Sequence, residues 1–324
     1  MGRAPRAPRG ARRAYLTYRS LAAVLRALPA PIGAAAAAAA GGVLERRSGN
    51  RRTVVEENLR HVLGADVGSE ELARSVRRAF ASYGRYWADA ASLDPRDRHP
   101  FARGLTVDGV EHLRAAHRAG KGAVVALPHL GSWEIGAVWA AEQGFPLTTV
   151  AEPVEPPELF AWLVSEREAL GMRVLPLGAS AVTELLAVLR RGGFVALLAD
   201  RDVAGDGVEV ELFGARTTIP GGPAALSLRS GAPLVPVAIY LERGGAHRIV
   251  VRPPIPAERT GRMRADVARL SQRLAHELEV LVRLAPEQWH VFQPNWPATP
   301  PRLALHRASG ASGASGASGA SGEP

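Results

Sequence analysis

Two runs constrain this chain more than any others. Residues 123–127 (Ala-Val-Val-Ala-Leu) and 194–199 (Phe-Val-Ala-Leu-Leu-Ala) are apolar at every position. A strand with one wet face alternates polar and apolar side chains, so an unbroken apolar run needs cover on both faces. That points to an α/β protein with a central, mostly parallel or mixed sheet flanked by helices. Each run ends in groups capable of chemistry. The first leads through Pro128 to His129, after which Gly131 and Ser132 supply a turn and an N-cap. A helix is expected over residues 133–143, where Ile135, Val138 and Trp139 recur at helical spacing. The second run delivers Asp200, Arg201 and Asp202. Open α/β sheets bind ligands at the carboxyl ends of their strands, so both clusters belong on one functional edge.

The remaining pattern alternates in the same way. Strands are expected at residues 147–150 and 173–177, helices at 157–170 and 180–191, and a hairpin from 234–241 to 247–251 turning through Arg243, Gly244 and Gly245. Residues 208–213 alternate before Gly214, and Val267, Leu270, Leu274, Leu278 and Leu281 mark a late amphipathic helix. Upstream, residues 54–63 and 70–91 read as helices. In the second, Leu72, Val76, Phe80, Tyr83 and Trp87 recur at spacings of three and four, which reads as core packing.

Charge separates the N-terminus from the rest. The chain carries a net +9, and residues 1–60 hold twelve Arg against Glu45, Glu56 and Glu57. Residues 1–13 lack apolar periodicity and read as a disordered basic segment. Over residues 15–28, apolar positions interleave with Arg19 and Arg26 as in a basic amphipathic helix suited to an anionic membrane surface. The alanine tract at 34–40 is only weakly apolar and is flanked by Pro and Gly, so residues 14–93 are expected to form a helical membrane-associating region without a crossing. Residues 94–303 then form the α/β domain, and residues 304–324, with five Ala-Ser-Gly triplets, a disordered tail. The chain has no Cys, which excludes disulfides and thiolate metal ligands. Nothing resembles a helix-turn-helix or an aromatic RNA platform, so no nucleic-acid partner is expected.

An imidazole can take a proton from a hydroxyl near neutral pH, and a nearby carboxylate can fix its tautomer. His129 and Glu134 fit those roles if the intervening turn brings them together. A histidine that merely caps the strand has the same sequence signature. There is no Gly-x-Ser-x-Gly elbow, which disfavours a covalent serine nucleophile. Asp200 and Asp202 around Arg201 could hold a cation, yet no third hard ligand has suitable spacing, and they read as a site-organising network without metal.

The spacing of His129 and Glu134 resembles the His-x4-Asp/Glu motif of the lysophospholipid acyltransferase superfamily, in its lipid A biosynthesis acyltransferase branch. Within it, the likeness is greatest to the actinobacterial phosphatidylinositol mannoside acyltransferases. It is carried by ordered blocks at 58–60 (Asn-Leu-Arg), 83–87 (Tyr-Gly-Arg-Tyr-Trp), 152–156 (Glu-Pro-Val-Glu-Pro), 167–172 (Arg-Glu-Ala-Leu-Gly-Met), 199–202 (Ala-Asp-Arg-Asp), 207–210 (Gly-Val-Glu-Val), 220–224 (Pro-Gly-Gly-Pro-Ala) and 288–290 (Gln-Trp-His). The resemblance implies transfer of a long fatty acyl chain from acyl-CoA to the mannose 6-hydroxyl of a phosphatidylinositol mannoside, by a peripheral protein on the cytoplasmic face of the cell membrane. It implies His129 as base with Glu134 orienting its ring, and Glu152, Arg167, Asp200, Arg201, Asp202 and Glu209 as substrate-binding residues, with no cofactor. His290 is expected to be structural. The competing readings are an acyltransferase for another glycolipid or a lysophospholipid, and a non-catalytic basic membrane-binding protein.

Overall fold

Seven strands form one sheet: β1 (Leu105–Asp108), β2 (Ala123–Leu127), β3 (Leu147–Ala151), β4 (Arg173–Pro176), β5 (Phe194–Leu198), β8 (Leu234–Leu241) and β9 (His247–Val251). Their order is β1-β9-β8-β2-β5-β3-β4. The two remaining strands, β6 (Val208–Leu212) and β7 (Ala215–Ile219), make a separate antiparallel hairpin. This computed structural model describes residues 30–94, 101 and 104–296, together with 16, 19, 20, 23–25, 27 and 28. The basic segment 1–13, most of the amphipathic stretch 15–28, residues 95–100 and the tail 304–324 lie outside the described residues.

β2 occupies the centre, parallel to β5 on one side and β8 on the other. Its wholly apolar sequence follows from that place, since all five of its residues are buried. Alternation along the strand divides them between two cores. Val124 and Ala126 point with Val195, Leu197 and Leu234 into a core closed by the helices Ala179–Arg190, Gly222–Ser230 and Met263–Arg283. Ala123, Val125 and Leu127 point with Phe194, Ala196 and Val235 into the opposite core, under the helices Val110–Arg118 and Trp133–Glu142. Each buried Val or Leu contributes roughly 1.5–3 kcal/mol through burial. β8 and β9 pair antiparallel around Arg243–Gly245, as the hairpin pattern requires, while β1 runs parallel to β9 at the far edge.

Three helices, Ala30–Arg47, Gly49–Leu63 and Ser69–Ser92, precede the sheet. Leu72, Val76 and Phe80 bury with Val55 and Leu59 in a core of their own. The alanine-rich helix lies along Ser69–Ser92 in antiparallel contact. A Cβ on Gly41 would run into the Phe80 carbonyl, and one on Gly84 into the Ala37 carbonyl. Small side chains thus serve close packing on one face. On the other, Ile32, Ala35, Ala36, Ala39 and Val43 form an exposed apolar stripe at helical spacing. No helix among the described residues is long and apolar enough to cross a membrane.

Candidate functional site

Strand register builds the centre of the site. Leu127 of β2 lies opposite Leu198 of β5, and the Ala199 amide donates to the Leu127 carbonyl at 2.8 Å. Two residues beyond each strand's last residue, His129 meets Asp200. The His129 backbone N–H donates to Asp200 Oδ2 at 2.8 Å, and its ring Nδ1 lies 2.6 Å from Asp200 Oδ1. The Trp289 indole donates a third bond to Oδ2 at 2.7 Å, and the Asn295 side chain donates to the Asp200 carbonyl at 3.2 Å. Burial alone would raise the Asp200 pKa, but the His129 charge and these donated bonds outweigh it and hold the carboxyl below its usual value. An ionised Asp200 places the proton of a neutral imidazole on Nδ1. Nε2 is left as a lone pair without a partner among the described residues, on a side chain 23% exposed.

The closing block clamps the motif from the other side. Gly131 donates to the Gln288 carbonyl at 3.0 Å and His290 to the His129 carbonyl at 2.7 Å. Gly131 has φ 61° and abuts the Ile239 carbonyl, where any Cβ would collide. The Gln288 side chain is fixed in turn by the Leu241 backbone, accepting from its N–H at 2.7 Å and donating to its carbonyl at 2.9 Å.

Glu134 does not orient the His129 ring, which corrects the pairing expected from the motif. Its Oε1 accepts from the Tyr86 hydroxyl at 3.2 Å and from Arg167 at 3.4 Å. Starting a helix turns Glu134 toward the Ser69–Ser92 helix, whereas the β2–β5 register aims Asp200 at His129. The guanidinium of Arg167 also lies over the Trp133 ring, 4.7 Å from its centroid. Burial raises the Glu134 pKa despite those partners, and Oε2 is buried with no hydrogen bond. Burial, with the Glu134 charge next, also pushes the Tyr86 hydroxyl well above its ordinary value.

The other expected residues divide. Arg201 binds the Gln293 side chain. Asp202 organises the loop after β5, accepting from the Gly205 and Gly207 amides and the Thr218 hydroxyl at 2.8–2.9 Å. Glu152 and Glu209 are exposed, and among the described residues neither forms a hydrogen bond or ion pair with His129. Tyr86 and Trp289 were not among the expected site residues. Tyr86 packs beside Tyr83 and Trp87, two residues read as core packing, and was not itself singled out. His290 holds the Ser82 hydroxyl at 3.0 Å, and burial together with the charge of His129 lowers its pKa to about 3.

A basic nitrogen backed by a buried carboxylate can take a proton from a hydroxyl and return it later. Residues 10–298 match the family described as Bacterial lipid A biosynthesis acyltransferase. A Phosphatidylinositol mannoside acyltransferase of Mycolicibacterium smegmatis is 35% identical over 297 residues, covering 90% of this chain and 94% of its own. One of Mycobacterium tuberculosis is 37% identical over 250 residues, 75% of this chain and 76% of its own. A Lipid A biosynthesis acyltransferase of Haemophilus influenzae is 24% identical over 246 residues, 75% of this chain and 74% of its own. The chain belongs to the bacterial lipid A biosynthesis acyltransferase family.

Proposed function

We propose that this acyltransferase moves a palmitoyl chain from acyl-CoA to the mannose 6-hydroxyl of a phosphatidylinositol mannoside, as a peripheral protein on the cytoplasmic face of the cell membrane. The observation that carries the chemistry is the His129–Asp200 pair at the strand ends, with Nε2 free. The acceptor class follows the mycobacterial relatives, which are named phosphatidylinositol mannoside acyltransferases. Membrane contact is supported by the exposed stripe from Ile32 to Val43 and by Arg46 and Arg47 at the end of that helix.

In this reading Nε2 removes the hydroxyl proton as the sugar oxygen attacks the thioester carbonyl. A tetrahedral intermediate forms, the carbon–sulfur bond breaks, and the imidazolium returns its proton to the leaving thiolate. Asp200 holds the ring and stabilises its charged form. Glu134, with Tyr86 and Arg167, shapes the adjoining wall of the site and takes no part in orienting His129.

The test is acyl transfer from radiolabelled palmitoyl-CoA to purified phosphatidylinositol mannosides, by wild type and His129→Ala in parallel. Loss of a positioned base lowers the rate on the order of 10²–10⁴. Equal product from both proteins would sink the mechanism, and labelling of a different lipid alone would sink the acceptor.

A further inference from the structure

The two edges of the sheet differ in what they show to solvent. β5 and β8 run parallel to β2, β3 to β5 and β4 to β3, so their carboxyl ends share the edge that holds His129 and Asp200. The loops that leave β3, β4 and β5 there expose Val154, Leu177 and Val203, and Val182 follows in the first turn of the helix Ala179–Arg190. These four side chains are 38–49% exposed. The turns at the opposite edge, residues 119–122, 143–146, 191–193 and 231–233, expose no Val, Leu, Ile, Met or aromatic side chain. They show Lys121, Gln143 and Arg191 instead. A lone exposed valine is ordinary, but four such side chains on one edge and none on the other are a sorted pattern.

The apolar loops border the site on one side. They lie on the β5 side of the catalytic pair, and the Leu177 N–H donates to the Ala151 carbonyl at 2.9 Å, which ties two of the loops together. The other border is the helix Ala30–Arg47 with its exposed stripe. That helix contacts the turn Arg243–Gly245, which leaves the carboxyl end of β8 on the far side of β2. His129 and Asp200, at the ends of β2 and β5, therefore lie between two exposed apolar borders.

We propose that the carboxyl edge of the sheet is the face laid against the bilayer, with Val154, Leu177, Val182 and Val203 entering the headgroup layer beside the site. This orientation rests on the proposed function, in which a membrane lipid presents the acceptor hydroxyl. Separate tips on separate loops suit a fluid surface that adapts to their spacing, whereas a protein partner needs a continuous, shape-matched patch. Charge distinguishes this contact from that of the N-terminal helices. The same loops carry exposed Glu152, Glu155 and Asp206, so they gain nothing from anionic lipid and their attraction is apolar. Arg46 and Arg47 end the helix on the other border. Charge draws the chain to the surface, and the loop tips set which edge faces it.

The chain has no Cys, so a single introduced cysteine can carry an environment-sensitive fluorophore. Leu177→Cys, Val203→Cys and, at the opposite edge, Gln143→Cys are labelled in the full chain and mixed with vesicles of phosphatidylcholine and phosphatidylinositol. Emission at 177 and 203 is expected to shift to the blue and to be quenched by nitroxide-bearing lipid, with no change at 143. No quenching at 177 and 203, or equal quenching at all three, would overturn the proposal. A blue shift that follows protein concentration without vesicles would assign the edge to a second copy and overturn it as well. Leu177→Ser combined with Val203→Ser is expected to weaken vesicle binding about tenfold, by the same factor at high salt as at low. Unchanged binding, or a loss that vanishes at high salt, would count against apolar insertion. A wild type that acylates no phosphatidylinositol mannoside would refute the acceptor, while the quenching pattern would still decide the face.

Discussion

Asp200 and Glu134 are both buried acids of one site, 1% and 5% exposed, yet they are held in opposite ways. Asp200 accepts three bonds from His129 and Trp289, shared over both of its oxygens, and its pKa is lowered. Glu134 accepts on one oxygen only, and its pKa is raised. At Asp200 the His129 charge, with bonds on both oxygens, overcomes desolvation, whereas at Glu134 the Arg167 charge, with bonds on one oxygen, does not. The comparison teaches that nearness in sequence is a poor guide to partnership. Glu134 is five residues from His129 and bonds elsewhere, while Asp200 is seventy-one residues away and bonds it twice.

Exchanging each acid for its amide gives the largest effect that can break this contrast. Asp200→Asn turns one acceptor into a donor facing the His129 ring and favours the wrong tautomer. A fall in kcat on the order of 10³–10⁴ is expected with the fold retained. Glu134→Gln keeps an acceptor for Tyr86 and shifts only the adjoining wall, so a loss of at most about 10² is expected. Steady-state transfer kinetics on both variants decide it, and a larger loss from Glu134→Gln would reverse the roles.

The opposite pKa shifts predict opposite slopes of stability against pH. The folded pKa of Asp200 lies below its unfolded value of about 3.9. Its contribution is complete above that value and is lost as pH falls through the folded pKa. The folded pKa of Glu134 lies above its unfolded value of about 4.3. Its contribution is complete below that value and is lost as pH rises through the folded pKa. Urea unfolding from about pH 3 to 7 should therefore show the advantage of wild type over Asp200→Asn shrinking toward acid. Relative to Glu134→Gln, wild type should lose ground toward neutrality. Slopes of the same sign would remove the distinction between the two acids.

Much of this geometry was legible in the sequence, and the failures have a common cause. The apolar runs 123–127 and 194–199 marked two doubly covered strands, and both ended in the right residues. Their pairing was not legible, because strand order depends on contacts far apart in the chain. Once β2 and β5 are neighbours with Leu127 opposite Leu198, the His129–Asp200 contact follows from counting two residues. The alanine helix is a second case. Its composition suggested a membrane-associated segment and hid the packed face where Gly41 and Gly84 admit neighbouring carbonyls. Glu152 and Glu209 stand at the relevant edge by sequence position, yet among the described residues neither forms a hydrogen bond or ion pair with His129.

The smallest expected effect is also the most specific, because it acts on one oxygen of one acid. Tyr86→Phe deletes the hydroxyl that reaches Glu134 Oε1 and leaves Arg167 as its remaining partner. Losing one buried hydrogen bond costs about 0.5–1.5 kcal/mol, so only a modest drop in stability is expected. That bond lowers the Glu134 pKa, opposing burial, so its removal should raise the pKa further. The decline of stability attributed to Glu134 should then move to higher pH in Tyr86→Phe, while the acid-side decline belonging to Asp200 stays where it is. An Asp200 decline that moved as well would mean that the two acids titrate as one network. The helix Ser69–Ser92 would then reach His129 itself, not only Glu134.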